Sequence, residues 1–150
     1  MLPLNTMSVE TDQVRQVGSA EKACQVKRRA LLSVVTPAYN EESNLPVLYD
    51  RLSGVLGSLD VDWEWILVDD HSADGTFAVV ADIASRDSRV HAVRFARNFG
   101  SHTALTYGLH HAAGDCAVIM AADLQDPPEA LVDLLTKWRD GAQVVWAVRA

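Results

Sequence analysis

A chain of 150 residues with 49% hydrophobic and 22% charged residues has the composition of a soluble globule, and one domain of that length buries roughly 68–70% of the surface its unfolded chain exposes. The formal net charge of -7 argues against nonspecific nucleic-acid binding, which needs clustered Lys and Arg. No apolar stretch approaches the roughly 20 residues that cross a bilayer, and the two cysteines, Cys24 and Cys116, form neither a disulfide framework nor a metal spacing, so a reducing compartment is the default.

Residues 1–29 lack hydrophobic periodicity and a secretory-signal pattern, and read as a flexible tail ending in the basic run Lys27-Arg28-Arg29, a solvated flank. Residues 30–150 form the domain. "LLSVVTP" is a short β-branched run closed by Pro37, a buried strand. Leu45, Leu48, Leu52, Val55, Leu56 and Leu59 recur at helical spacing, with Asn44 as N-cap and Pro46 in the first turn. "WEWILV" is the second strand, its Trp63 and Trp65 on one side against a helix, and it ends on Asp69 and Asp70. A helix opened by Asp74-Gly75-Thr76 follows, where Asp74 is equally a cap or a ligand. "VHAVRF" is the third strand, and Ala104, Leu105, Gly108, Leu109 and Ala112 outline the next helical face, flanked by the solvated His102, His110 and His111. "CAVIMA" is the fourth strand. Asp126 then caps a helix with Pro127, Pro128 and Glu129 in its first turn and Leu131, Leu134, Leu135 and Trp138 as its buried stripe. Gly141 ends that helix, and "AQVVWAV" is the fifth strand.

Strand and helix alternate throughout, the signature of an α/β fold with a mostly parallel sheet covered on both faces. Ligands bind such sheets at the carboxyl ends of the strands. Asp69 and Asp70 end one strand, Asp123 follows another, and Thr36, Tyr39 and Asn40 lie just past a third, so these groups converge on one rim. Clustered carboxylates repel one another and resist desolvation, which implies that something cationic or hydrogen-bonding meets them. Hard oxygen ligands suit Mg2+ or Mn2+, an ion that keeps waters and grips a substrate diphosphate through one or two carboxylates. No Gly-x-Gly-x-x-Gly follows a strand and no Walker A sequence occurs, which leaves a metal-held nucleotide-diphosphate compound as the candidate ligand.

Four blocks in order, "SVVTPAYNEESNLP", "ILVDDHSADGT", "RNFGSHTALTYGL" with "AAGD", and "ADLQDPPE", resemble those of family 2 glycosyltransferases, in particular the polyprenyl-phosphate branch of dolichol-phosphate-mannose-synthase-like and bactoprenol glucosyltransferases. The resemblance covers Leu31 to Ala150. It implies a Rossmann-like GT-A fold, a nucleotide-sugar donor with UDP favoured, a polyprenyl-phosphate acceptor, inversion at the anomeric carbon, and action at the cytoplasmic side of a membrane. By motif, Pro37, Tyr39 and Glu41 line the nucleotide pocket, Asp69 or Asp70 hydrogen-bonds the base, and Arg97 and Asn98 face the donor. Asp123 and Gln125 are the implied catalytic and metal-binding pair. Where many relatives carry Asp-x-Asp this chain reads Ala121-Ala122-Asp123, so Gln125, donor phosphates and water complete the coordination sphere.

The resemblance also implies that relatives continue with an acceptor-side half and C-terminal membrane helices, so the chain is expected to hold the donor half only, with an arginine-containing block beginning at Arg149. Two other functions stay open. One is a noncatalytic nucleotide-sugar binder. The other is a phosphoacceptor receiver domain, which also ends a strand on paired acids and would use Asp115 or Asp123 as acceptor, although a full strand-helix unit precedes "ILVDDH" and Lys137 lies inside a helix. A homo-oligomer is left open.

Overall fold

The computed structural model describes residues 28–147; most of the predicted tail, with Cys24 and Lys27, and Arg149 lie outside the described residues. Among those described, β1 (Leu31–Ala38), β2 (Asp62–Asp69), β3 (Val90–Arg94) and β4 (Cys116–Ile119) form a single sheet in the order β3-β2-β1-β4, every pair parallel. The helices are α1 (Leu45–Gly57), α2 (Thr76–Arg86), α3 (Ser101–His111) and α4 (Leu131–Arg139), the last entered through a 3-10 turn at Pro128–Ala130. The α/β architecture with a parallel sheet follows from the alternation of strand and helix patterns.

The strands read as continuous apolar runs because both faces are covered. Leu32, Val34, Ala38, Trp63, Trp65 and Leu67 belong to the larger core, together with Leu45, Leu48, Leu52 and Leu56 of α1, Val80 and Ile83 of α2 and Leu131 and Leu135 of α4. The Trp65 ring is fully buried, stacks on Tyr49 with centroids 6.2 Å apart, and donates its indole N–H to Thr36 Oγ1 at 2.9 Å. On the other face α3 covers Ile66 and Val68 through Ala104. Gly108 lets α3 approach the sheet closely: a Cβ there would lie 2.4 Å from Val35 Cγ1. β1 and β2 run outward to β3, and the chain then returns to place β4 on the far side of β1. The order reverses between β1 and β4, which opens a crevice at their carboxyl ends.

Several sequence expectations are corrected. Residues 142–147 form no strand; Val144 and Trp146 are 69% and 83% exposed, so the apolar side chains that would bury in a strand stay in solvent. Asn44 makes no capping bond: its backbone is already helical at φ -85° and ψ -31°, and its side-chain amide donates to Glu41 Oε2 at 2.7 Å. The turn before α4 opens at Pro127, one residue past the expected Asp126, and Glu129 pairs with Arg51 at 2.7 Å instead of closing a capping box. Leu109 points outward, leaving Ala104 and Gly108 as the buried line of α3. Arg28 and Arg29 stay exposed as a solvated flank, and there they pair with Asp115 at 2.7 Å and Asp60 at 2.9 Å.

Candidate active site

The parallel sheet brings all four carboxyl ends to one rim, and the register levels them. Ala38 lies opposite Asp69, and Asp69 opposite Arg94. Val35 lies opposite Ile119, so Asp123 follows β4 about where Tyr39 follows β1. Asp69, Asp70 and Asp123 therefore share one end of the molecule. Asp115 does not: it precedes β4 at the opposite end, where the Leu31 N–H donates to it at 2.8 Å and, with Arg28 beside it, holds its carboxyl below the usual range. That removes Asp115 as a phosphoacceptor on the rim, and the paired acids end the second strand of the domain instead of the first, against the receiver arrangement.

The paired acids divide along the two faces of the sheet. Asp69 is fully buried; its Oδ1 accepts the Ser72 N–H at 2.9 Å and the Ser72 hydroxyl, and its Oδ2 lies 3.4 Å from Arg94 Nε without a hydrogen bond. Arg94 also donates to the Ser72 carbonyl at 2.9 Å. Asp70 is 3% exposed and takes the opposite direction, accepting the Phe99 N–H at 2.7 Å and the Gly100 N–H at 2.8 Å where α3 begins. A carboxylate oxygen has two lone pairs, so each Asp70 oxygen keeps one acceptor site. Of the two acids expected to reach a base, both are buried, Asp69 fully and Asp70 to 3% exposure.

The loops after β1 and β2 are zipped together. Asn40 donates its N–H to Ser72 Oγ at 2.9 Å and accepts the Ala73 N–H on its side chain at 2.9 Å, and the Glu41 N–H donates to Thr76 Oγ1 at 2.8 Å. Glu42 Oε2 accepts the Gly75 N–H at 2.9 Å, and Asp74 accepts the Thr76 N–H at 3.0 Å. The Thr76 hydroxyl holds the Asp74 carboxyl below its ordinary value. Asp74 thus serves the opening of α2 as a turn residue. Glu42 and Asp74 take the Gly75 and Thr76 amides at the start of α2, and Asp70 takes the Phe99 and Gly100 amides at the start of α3.

Pro37 lies within β1, half-buried, and Tyr39 presents a 51% exposed ring just beyond it. Glu41 is half-buried against Asn44. Arg97 is exposed, its guanidinium 4.5 Å above the Phe99 ring, and Asn98 accepts the Gly100 N–H at 3.1 Å. Asp123 is half-buried and accepts the Gln125 N–H at 3.0 Å in a tight turn. Left-handed backbone marks a residue shortly past three strands: Asn40 at φ 57°, His71 at φ 63° and Leu124 at φ 62°. Among the described residues no three His, Cys, Asp or Glu side chains converge as a metal cage. His102, His110 and His111 sit exposed along α3.

Ser72, Arg94, His71 and Glu42 were not singled out from the sequence. Ser72 carried a signal, since a hydroxyl three residues after an Asp is a turn pattern. Arg94 carried none, because its contact with Asp69 exists only through strand pairing.

Glycosyl transferase family 2 as a sequence family matches residues 33–150. The chain belongs to that family. It is 38% identical over 124 residues to the uncharacterized glycosyltransferase YkcC of Bacillus subtilis, covering 83% of this chain and 38% of that protein. It is 41% identical over 120 residues to an undecaprenyl-phosphate 4-deoxy-4-formamido-L-arabinose transferase of Pectobacterium carotovorum, covering 79% of this chain and 37% of that protein. A solved mannosyltransferase of Pyrobaculum calidifontis, in complex with GDP-Man and Mn2+, aligns with a TM-score of 0.57 at 28% identity, over 75% of this chain and 33% of that one. This family 2 chain spans little more than a third of the relatives it matches, and its sheet has the GT-A architecture of the solved neighbours. No helix among the described residues is long and apolar enough to cross a membrane.

Proposed function

We propose that the chain is the donor-binding part of a glycosyltransferase that moves a sugar from a nucleotide diphosphate, UDP favoured, to a polyprenyl phosphate with inversion. The observation that carries this reading is the shared rim: Asp70 and Asp123 lie beside the β1/β4 crevice, with Tyr39 and Arg97 exposed on the same end. Tyr39 offers a ring face to a base, and an Asp70 lone pair accepts from its N–H. Pro37 and Glu41 shape the pocket floor, and Asn98 holds the loop that carries Arg97. Diphosphate charge falls to Arg97, whose planar fork suits phosphate oxygens.

Asp123 and Gln125 are oxygen-bearing groups two residues apart, a donor set that fits an ion bound by one carboxylate with substrate phosphates and water. They would hold Mg2+ or Mn2+, which would offset charge on the departing diphosphate. The mannosyltransferase crystallised with Mn2+ supports a divalent ion of this kind. In the reaction, a lipid phosphate oxygen attacks the anomeric carbon from the face opposite the diphosphate. The C–O bond to that group breaks, and the electron pair leaves with it. The acceptor is already anionic, so no side chain has to remove a proton, and alignment supplies the rate. The undecaprenyl-phosphate relative supports this acceptor class, and we propose that the work is done at the cytoplasmic side of a membrane.

A second reading, nucleotide-sugar binding without transfer, needs only the rim groups themselves, Tyr39, Asp70 and Arg97. The test is incubation with radiolabelled UDP- and GDP-sugars, Mn2+ and detergent-dispersed undecaprenyl phosphate. Label in the lipid phase supports transfer; saturable binding with none in the lipid phase supports the second reading; absence of both contradicts each.

A further inference from the structure

The connection from β3 to α3, residues 95–100, carries Arg97 and Asn98 and is held at both ends by the paired acids. At its start the Phe95 N–H donates to the Asp69 carbonyl at 2.9 Å, His71 Nδ1 meets the Phe95 carbonyl at 3.1 Å, and Arg94 grips the Ser72 carbonyl and the Asp69 side chain. At its end both Asp70 oxygens take the Phe99 and Gly100 amides. Gly100 turns there at φ 90°, a conformation that side chains resist.

Phe99 is further fixed by its ring, which meets Phe95 edge-on at 5.5 Å, while Phe95 meets Tyr107 of α3 edge-on at 5.4 Å. Phe99 is nonetheless 46% exposed, and its free surface carries the Arg97 guanidinium. Arg97 has no ion pair among the described residues. Its position rests on the ring beneath it, and that ring rests on Asp70. Two charge-assisted bonds from one carboxylate to adjacent amides define the direction of the backbone as well as its distance.

We infer that Asp70 is a positioning residue for Arg97, acting through the Phe99 amide and ring to aim the guanidinium at the donor diphosphate. This rests on the reading of the rim as a nucleotide-sugar site. An Asn at position 70 keeps the shape, but its amide nitrogen opposes one of the two backbone N–H groups, so the loop loses one anchor and gains a clash of donors.

The experiment measures, by titration calorimetry on the full 150-residue chain, the ratio of affinities for a nucleoside diphosphate over its nucleoside, using UDP with uridine and GDP with guanosine. A base contact by Asp70 cancels in that ratio, and a purely structural loss lowers the melting temperature without moving it. Arg97→Ala is expected to lower the ratio about ten- to a hundredfold, the value of hydrogen bonds to a charged group. Asp70→Asn is expected to lower it by most of that factor, and the double variant no further than Arg97→Ala alone. Phe99→Leu, which leaves the Asp70 bonds intact at a half-exposed site, is expected to lower it in part, and serves if Asp70→Asn does not fold. A ratio reduced by Arg97→Ala and unchanged in both Asp70→Asn and Phe99→Leu overturns the inference alone. A ratio untouched by Arg97→Ala, or no nucleotide binding by the unaltered chain, overturns the reading of the rim and the inference with it.

Discussion

Replacement of Asp69 tests why an apolar strand ends on acids. Its side chain is fully buried and accepts two bonds from Ser72, with Arg94 Nε 3.4 Å from the second oxygen. Hydrogen bonds to a charged group contribute about 1.5–3 kcal/mol each, and removing one member of a buried pair costs about 3–5 kcal/mol. Arg94 is 39% exposed, so solvent discounts its share, and relief of the desolvated carboxylate offsets part of the rest. Asp69→Ala should therefore cost about 3 kcal/mol, a large part of the roughly 5–15 kcal/mol that holds a domain together, and lower Tm by about 10 °C. Asp69→Asn keeps an acceptor for Ser72 and should cost about 1 kcal/mol, the usual net value of one hydrogen bond. Urea unfolding followed by circular dichroism reads both. An Asp69→Ala protein as stable as the unaltered chain would refute the assignment of this acid to the loop framework.

Gly108→Ala should destabilise by about 1–3 kcal/mol in the same unfolding assay, because the new Cβ falls 2.4 Å from Val35 Cγ1, and Val35→Ala should restore part of the loss. The Asp87 carboxyl, bonded to the Arg89 guanidinium, is held at about 2 against an ordinary 3.8. A depressed carboxylate stabilises the fold above its unfolded value, so this contribution, about 2 kcal/mol, is present above pH 4 and is lost as pH falls toward 2. Melting curves across that window should show Asp87→Asn with a flatter acid limb, and an identical limb would contradict the assignment.

The order of strands and helices was legible because each element buries a continuous run or stripe, and the acids were legible as a rim because parallel strands share one carboxyl end. What the acids do there was not. Asp69 and Asp70 are adjacent in sequence, yet one turns toward Ser72 and Arg94 and the other toward the amides of Phe99 and Gly100, 29 and 30 residues away, and apart from the local Ser72 turn these meetings arise only in the folded chain. Of the caps, Asn44 has helical backbone and bonds Glu41 three residues back, while Glu129 pairs with Arg51, 78 residues away. The fifth strand is not formed among the described residues 142–147, where Val144 and Trp146 stay exposed.

The central claim, that this rim binds a nucleotide sugar with a divalent ion at Asp123, is tested most directly by calorimetric titration of UDP- and GDP-sugars into the chain with Mn2+ or with EDTA. Saturable binding that needs Mn2+ and weakens about tenfold or more in Asp123→Asn is the expected result, the scale of losing one charged contact. Binding indifferent to both the ion and Asp123, or no binding to any sugar nucleotide, contradicts it.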